Sequence, residues 1–203
     1  VGLQGQVLVF QMLYANKGSV VGSYTIAPNS LITLNTITGS LSWMKPAQLT
    51  TSTDTVYKAG FGPLTLTALG GAYEAPLAGQ RVLGAAAVVA PATNSRLIFS
   101  LGGLIDPFTQ PVRITNPSAT NLTNTAAINA PALNSTTMTV LTASTGAISG
   151  SFTLGGPTTA PWFGQIVTVG ATPRGYGYFL LPTGVPTVTT SPKLSGRVLL
   201  AVP

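Results

Sequence analysis

The stretch Ile148–Leu154 reads I-S-G-S-F-T-L. Every second residue is apolar, and Gly150 shares their parity. In an extended chain Ile148, Gly150, Phe152 and Leu154 therefore face one side. The same arrangement returns at Leu3–Val9 around Gly5, at Val20–Ile26 around Gly22, at Ile37–Trp43 around Gly39 and at Leu194–Leu200 around Gly196. Glycine on the apolar side of a strand loses packing and backbone entropy, so it marks a bend or a close approach. Repeated inward glycines let a sheet curl without overfilling its interior. Gly5, Gly22 and Gly39 stand 17 residues apart, the length of one strand plus one turn. The pattern predicts an antiparallel meander in an all-β fold, a strongly curled sheet forming a barrel or barrel-like sandwich.

Working outward, Gln4–Tyr14, Ser19–Ile26, Thr36–Met44 and Leu64–Leu69 read as strands, with turns at Ala15–Gly18 and a break at Pro28–Ser30. Val82–Val89 and Arg96–Leu101 read as two more. Gly102–Pro111 reads as a break, and the Thr/Asn/Ala-rich segment Thr115–Thr137 as a connection between lobes or a decorated loop. Thr139–Thr142 and Ala147–Leu154 form a hairpin, followed by strands at Trp162–Val169, Gly175–Leu181 and Lys193–Val202. No segment keeps a helical period over ten residues. The organisation is either two related β lobes, 1–103 and 104–203, or one continuous barrel over 1–203. The chain opens on strand-like Val1–Gly5 without a signal-peptide pattern, which points to a leader already removed or to a piece of a larger protein. Its longest apolar run, Val82–Ala90, is far shorter than the ~20 residues of a membrane-spanning helix.

Hydrophobic residues make up 45% of the 203, and charged residues only 6%. The polar surface must therefore be built from Ser, Thr, Asn and Gln. Nine Lys and Arg outnumber three acids, for a net charge of +6. The bases are scattered, so they read as solubilising charges and strand-end guards rather than a nucleic-acid stripe.

The missing residue types exclude most catalytic chemistry. With no Cys and no His there is no disulfide framework, thiol nucleophile, Ser-His-Asp triad or usual zinc site. Asp54, Glu74 and Asp106 are far apart and lack the motif context of a carboxylate pair or a calcium cage. Gly70-Gly71 is not followed by the Gly-Lys-Ser/Thr of a phosphate loop. No enzyme activity, cofactor or metal is expected. So few titrating groups also predict a fold that depends weakly on pH. Trp43 and Trp162 continue the apolar parity and read as core. Asn121-Leu-Thr and Asn134-Ser-Thr match the N-glycosylation pattern, which has meaning only in a secretory setting.

Five local strings, in order, carry a family resemblance: Gly39–Pro46 (G-S-L-S-W-M-K-P), Tyr57–Phe61 (Y-K-A-G-F), Ala78–Leu83 (A-G-Q-R-V-L), Gly175–Leu181 (G-Y-G-Y-F-L-L) and Ser191–Gly196 (S-P-K-L-S-G). Together the chain resembles the carboxy-terminal β-domain of large secreted or surface repeat proteins of planctomycete and verrucomicrobium-type bacteria. The resemblance implies an extracellular, non-catalytic surface or assembly module and supplies no site residues.

The function expected is thus that of an extracellular structural protein. It would be a surface-layer or filament subunit, homo-oligomeric or polymeric through its terminal strands. Val1–Val9 and Leu194–Val202 would either pair with each other or add to a neighbouring copy. Two other roles fit the composition: a non-catalytic carbohydrate-binding or adhesion module using Tyr73, Tyr176 or Tyr178, and a viral coat subunit. An outer-membrane barrel is disfavoured by the many prolines and the lack of aromatic girdles.

Overall fold

The computed structural model describes residues 5–27, 36–116, 123–154, 159–169, 172–182 and 193–203. The Pro28–Ser30 break, residues 1–4 and Asn121 lie outside them. Among the described residues there are twelve strands, two short 3-10 turns and no α-helix. The strands are β1 (Gln6–Leu13), β2 (Gly18–Ala27), β3 (Thr36–Lys45), β4 (Phe61–Gly71), β5 (Ser95–Leu101) and β6 (Phe108–Thr115). After them come β7 (Thr125–Ile128), β8 (Thr137–Thr142), β9 (Ala147–Thr153), β10 (Thr159–Val169), β11 (Thr172–Pro182) and β12 (Lys193–Ala201).

Two antiparallel sheets form. One is the meander β1-β2-β3-β4; the other has the order β7-β6-β5-β12-β11-β10-β9-β8. The outermost strands of the second sheet, β7 and β8, touch, so its eight strands curl into a nearly closed barrel. The hydrogen-bonded sheets part between Gly71 and Ser95. Three backbone bonds among the described residues stitch them together, Thr168 N–H to Ala72 C=O at 3.2 Å, Lys193 N–H to Thr55 C=O at 2.8 Å and Tyr57 N–H to Lys193 C=O at 3.4 Å.

The barrel interior is the buried core. Leu97, Phe99, Val112, Ile114, Phe152, Trp162, Ile166, Phe179 and Val198 are all fully buried there. Aromatic rings fill it: Phe99 stacks on Phe108 with centroids 4.6 Å apart, and Phe152 meets Phe179 edge-on at 5.0 Å. The inward glycines have a specific use. Gly196 lies opposite Phe179 in the ladder, and a Cβ on it would fall 1.9 Å from that ring. Gly150 lies opposite Trp162, and its Cβ would meet the Thr137 carbonyl at 2.0 Å and the indole at 2.8 Å. Each glycine makes room for an aromatic ring from the next strand, which covers the backbone that the missing side chain exposes.

Some expectations need correction. Val82–Val89 is not a strand. Val82–Gly84 forms a 3-10 turn in which Leu83 and Gly84 take positive φ, and an irregular path follows. Val82, Leu83 and Ala85 are buried in the core cluster, so the start of the run is apolar because it packs into the barrel core, whereas Ala86, Ala87, Val89 and Ala90 are exposed. A continuous apolar run has no parity and cannot report its own conformation. Nor is Thr115–Thr137 wholly a connection: it contains β7, which pairs with β6. Its four residues are too few to show alternation. Pro111 does not end a break but sits inside β6. Its carbonyl accepts from Asn129 N–H, so its missing donor faces the side where β7 pairing has stopped at Ile128. The described parts of the terminal segments do not pair with each other. Among the described residues β1 bonds only to β2, while β12 is held on both edges by β11 and β5.

Candidate functional site

The site is the β1–β4 sheet and its free edge. Gln6, Leu8, Phe10 and Met12 of β1 share one face, and the register places Val21, Met44 and Leu69 on it too. Leu8 is 81% exposed and Phe10 72%. Val7, Val9, Val20, Leu41 and Trp43 occupy the other face and are only half-buried. No apolar side chain of β1–β4 reaches the buried class. The outer edge of β1 has no ladder partner among the described residues. Neither proline nor charge guards it, because Q-V-L-V-F-Q-M-L contains none. Unpaired N–H and C=O groups along such a strand are a template for another chain.

A charged latch closes one end of this sheet. Lys45 ends β3 and is fully buried, contrary to a role as an exposed strand-end guard. Its ammonium donates to Asp54 Oδ2 at 2.7 Å and to the Val56 carbonyl, and it lies 4.5 Å from the centre of the Tyr14 ring. This is the sole ion pair among the described residues. A buried ammonium needs such compensation. The Lys45 bond holds the Asp54 carboxyl below the usual carboxylate range, and the Val56 N–H adds to it. Burial pushes the Tyr14 phenol up. Trp43, Tyr57 and Phe61 pack edge-to-face beside the latch, with centroids 4.5 to 5.4 Å apart. Tyr57 continues to β12, where its hydroxyl accepts from Ser195 N–H at 3.0 Å and meets the Ser195 hydroxyl. Trp43 is therefore half-buried against a loop, whereas Trp162 is fully buried in the barrel.

The aromatic candidates separate. Tyr73 packs against the core and donates its hydroxyl to the Ala143 carbonyl; burial pushes its phenol up. Tyr176 and Tyr178 point outward from β11, 38% and 53% exposed. Glu74 and Asp106 stand exposed outside the strands and take no part in the Lys45–Asp54 pair. No group of three or more His, Cys, Asp or Glu comes together among the described residues. Asn134 sits in a 3-10 turn after β7 with φ of 51°. No described helix is long and apolar enough to cross a membrane. The latch was missed in sequence because Lys45 and Asp54 flank an unremarkable polar stretch. The one available signal was Lys45 itself, a charge on the parity of Leu41 and Trp43. No family model matches the chain, and neither the curated proteins nor the solved structures yield a match.

Proposed function

We propose that the protein is a structural subunit that self-assembles outside the cell by adding the edge of β1 to a neighbouring copy. One observation carries the reading: an eight-residue edge strand with no charge and no proline, on a sheet with no buried apolar side chain. A sheet of this kind gains both ladder bonds and apolar burial when a second chain covers it. Because β12 has partners on both edges, β1 is the terminal strand free to serve. The extracellular setting rests on the resemblance to surface β-domains.

The test is electron microscopy with sedimentation of the wild-type chain, Phe10→Lys and a chain lacking residues 1–9. The wild type is expected to form polymers or sheets. Phe10→Lys should stay dispersed at the same concentration while keeping its melting temperature. Polymers of Phe10→Lys or of the chain lacking residues 1–9 indistinguishable from wild type, or a wild type dispersed at every concentration, would remove this function.

A further inference from the structure

The bases scattered in the sequence are gathered by the fold. β5–β12 carry Arg96, Arg113, Arg174, Lys193 and Arg197 and no acidic residue. Alternation along the strands turns Arg96, Arg174 and Arg197 to the outer face, where all three are exposed, Arg96 and Arg197 between buried neighbours and Arg174 between half-buried Pro173 and buried Gly175. The ladder sets aromatic rings among them. Tyr178 lies opposite Arg197 on one side and Phe163 on the other; Tyr176 lies opposite Leu199. Beside this row, Arg96 and Arg174 line a groove of about 270 Å³ that also takes in Ile98 and Leu199. We propose that this face, from β10 across β11 and β12 to β5, binds an acidic polysaccharide.

Charge complementarity selects the ligand. A face whose strands carry Arg96, Arg174 and Arg197 and no acid attracts a polyanion, the one acid at its margin being Glu74, which shares a pocket with Pro173 among the described residues. Guanidinium groups suit the carboxylates or sulfates of such a chain because they bind both oxygens at once. The rings select a sugar over a base. Phe163 and Tyr178 lie tilted by 40° with centroids 6.2 Å apart, so each shields part of the other. That leaves a shallow apolar surface for the C–H face of a pyranose rather than open slots for stacked bases. Apolar Leu199 and Ile98 also interrupt the cationic track that a phosphate backbone would follow.

The test is affinity electrophoresis of the full chain through gels containing polygalacturonate or neutral dextran, with a thymidine oligonucleotide as competitor. Polygalacturonate should retard the protein, dextran should not, and added salt should weaken the retardation. The pairs Tyr176→Ala with Tyr178→Ala, and Arg96→Gln with Arg174→Gln, should each weaken binding about tenfold, as central contacts do. Lys17→Gln, in a turn of the other sheet, removes the same kind of charge and should change binding less than about twofold. Arg96→Lys with Arg174→Lys retains the charge and the fold but should still weaken binding, through the lost two-oxygen geometry. No retardation by polygalacturonate, equal losses in Lys17→Gln and the arginine pair, or displacement by the oligonucleotide at lower concentration than free polygalacturonate would overturn the proposal. Repeating the gels with Phe10→Lys keeps this result independent of assembly through β1.

Discussion

The hairpins β1–β2 and β8–β9 are written in nearly the same words. Leu13–Ile26 reads L-Y-A-N-K-G-S-V-V-G-S-Y-T-I, and Leu141–Leu154 reads L-T-A-S-T-G-A-I-S-G-S-F-T-L. Both form antiparallel hairpins with a turn before Gly18 or before Ala147. Their fates differ. Ile148 and Phe152 are buried, while Val20 and Tyr24, at matching places, are half-buried. Eight strands can curl until their edges meet and cover their own apolar face; four cannot. Val82, Leu83 and Ala85 then pack into the barrel core, and no described segment fills the apolar side of the β1–β4 sheet in the same way. Local pattern makes the strand, and only the number of strands around it decides whether its apolar side is satisfied.

The sharpest way to break this comparison is to cut matching side chains. Phe152→Ala should cost about 3–5 kcal/mol by thermal or urea unfolding, the usual loss for a buried aromatic. Tyr24→Ala, half-covered on the open sheet, should cost about 1 kcal/mol or less in the dispersed protein. Equal losses would mean that the first sheet is as well packed as the barrel. The next effect concerns the glycine that accommodates a ring. Gly196→Ala drives a methyl into Phe179 and should destabilise by about 1–3 kcal/mol, with a matching change in near-ultraviolet dichroism. Gly62→Ala, on β4, has nothing within 4 Å of the added carbon and should change stability little. A neutral Gly196→Ala would show that the close approach between β11 and β12 relaxes freely.

The all-β class and most strand positions were readable because alternation is local: Ile148, Phe152 and Leu154 announce a face within seven residues. Gly150 and Gly196 were readable as inward, but not their partners, because Gly196 meets Phe179 only through the register of β11 and β12; Gly22 and Gly39 instead stand on the open sheet, and Gly5 precedes β1. Three features were invisible for one reason. Lys45 finds Asp54 through a loop; Arg96 and Arg174 share a groove although 77 positions separate them in the chain; and Val82, Leu83 and Ala85 are core only because a barrel surrounds them. Each depends on what the fold brings near, and periodicity carries no information about that.

The smallest effect distinguishes the two sheets by pH. Asp54 has a lowered folded pKa, so its contribution is complete above its unfolded value of about 3.9 and is lost as pH falls through the folded one. Tyr14 and Tyr73 have raised folded values, so their contribution is complete below about 10 and is lost as pH rises through the folded ones. Stability from these groups should therefore be flat between about pH 5 and 9, falling only outside that range. The acid limb belongs to the open sheet, because Asp54 holds Lys45 at its end. Two tryptophans report separately, Trp43 beside the latch and Trp162 in the barrel. In Trp162→Phe the remaining indole should redden on acidification before unfolding is global, and Asp54→Asn should already show that shift near neutral pH. In Trp43→Phe the emission of Trp162 should stay that of a buried indole over the same steps. Simultaneous shifts of both indoles would mean that the latch supports the barrel as much as its own sheet, and that the two sheets melt as one unit.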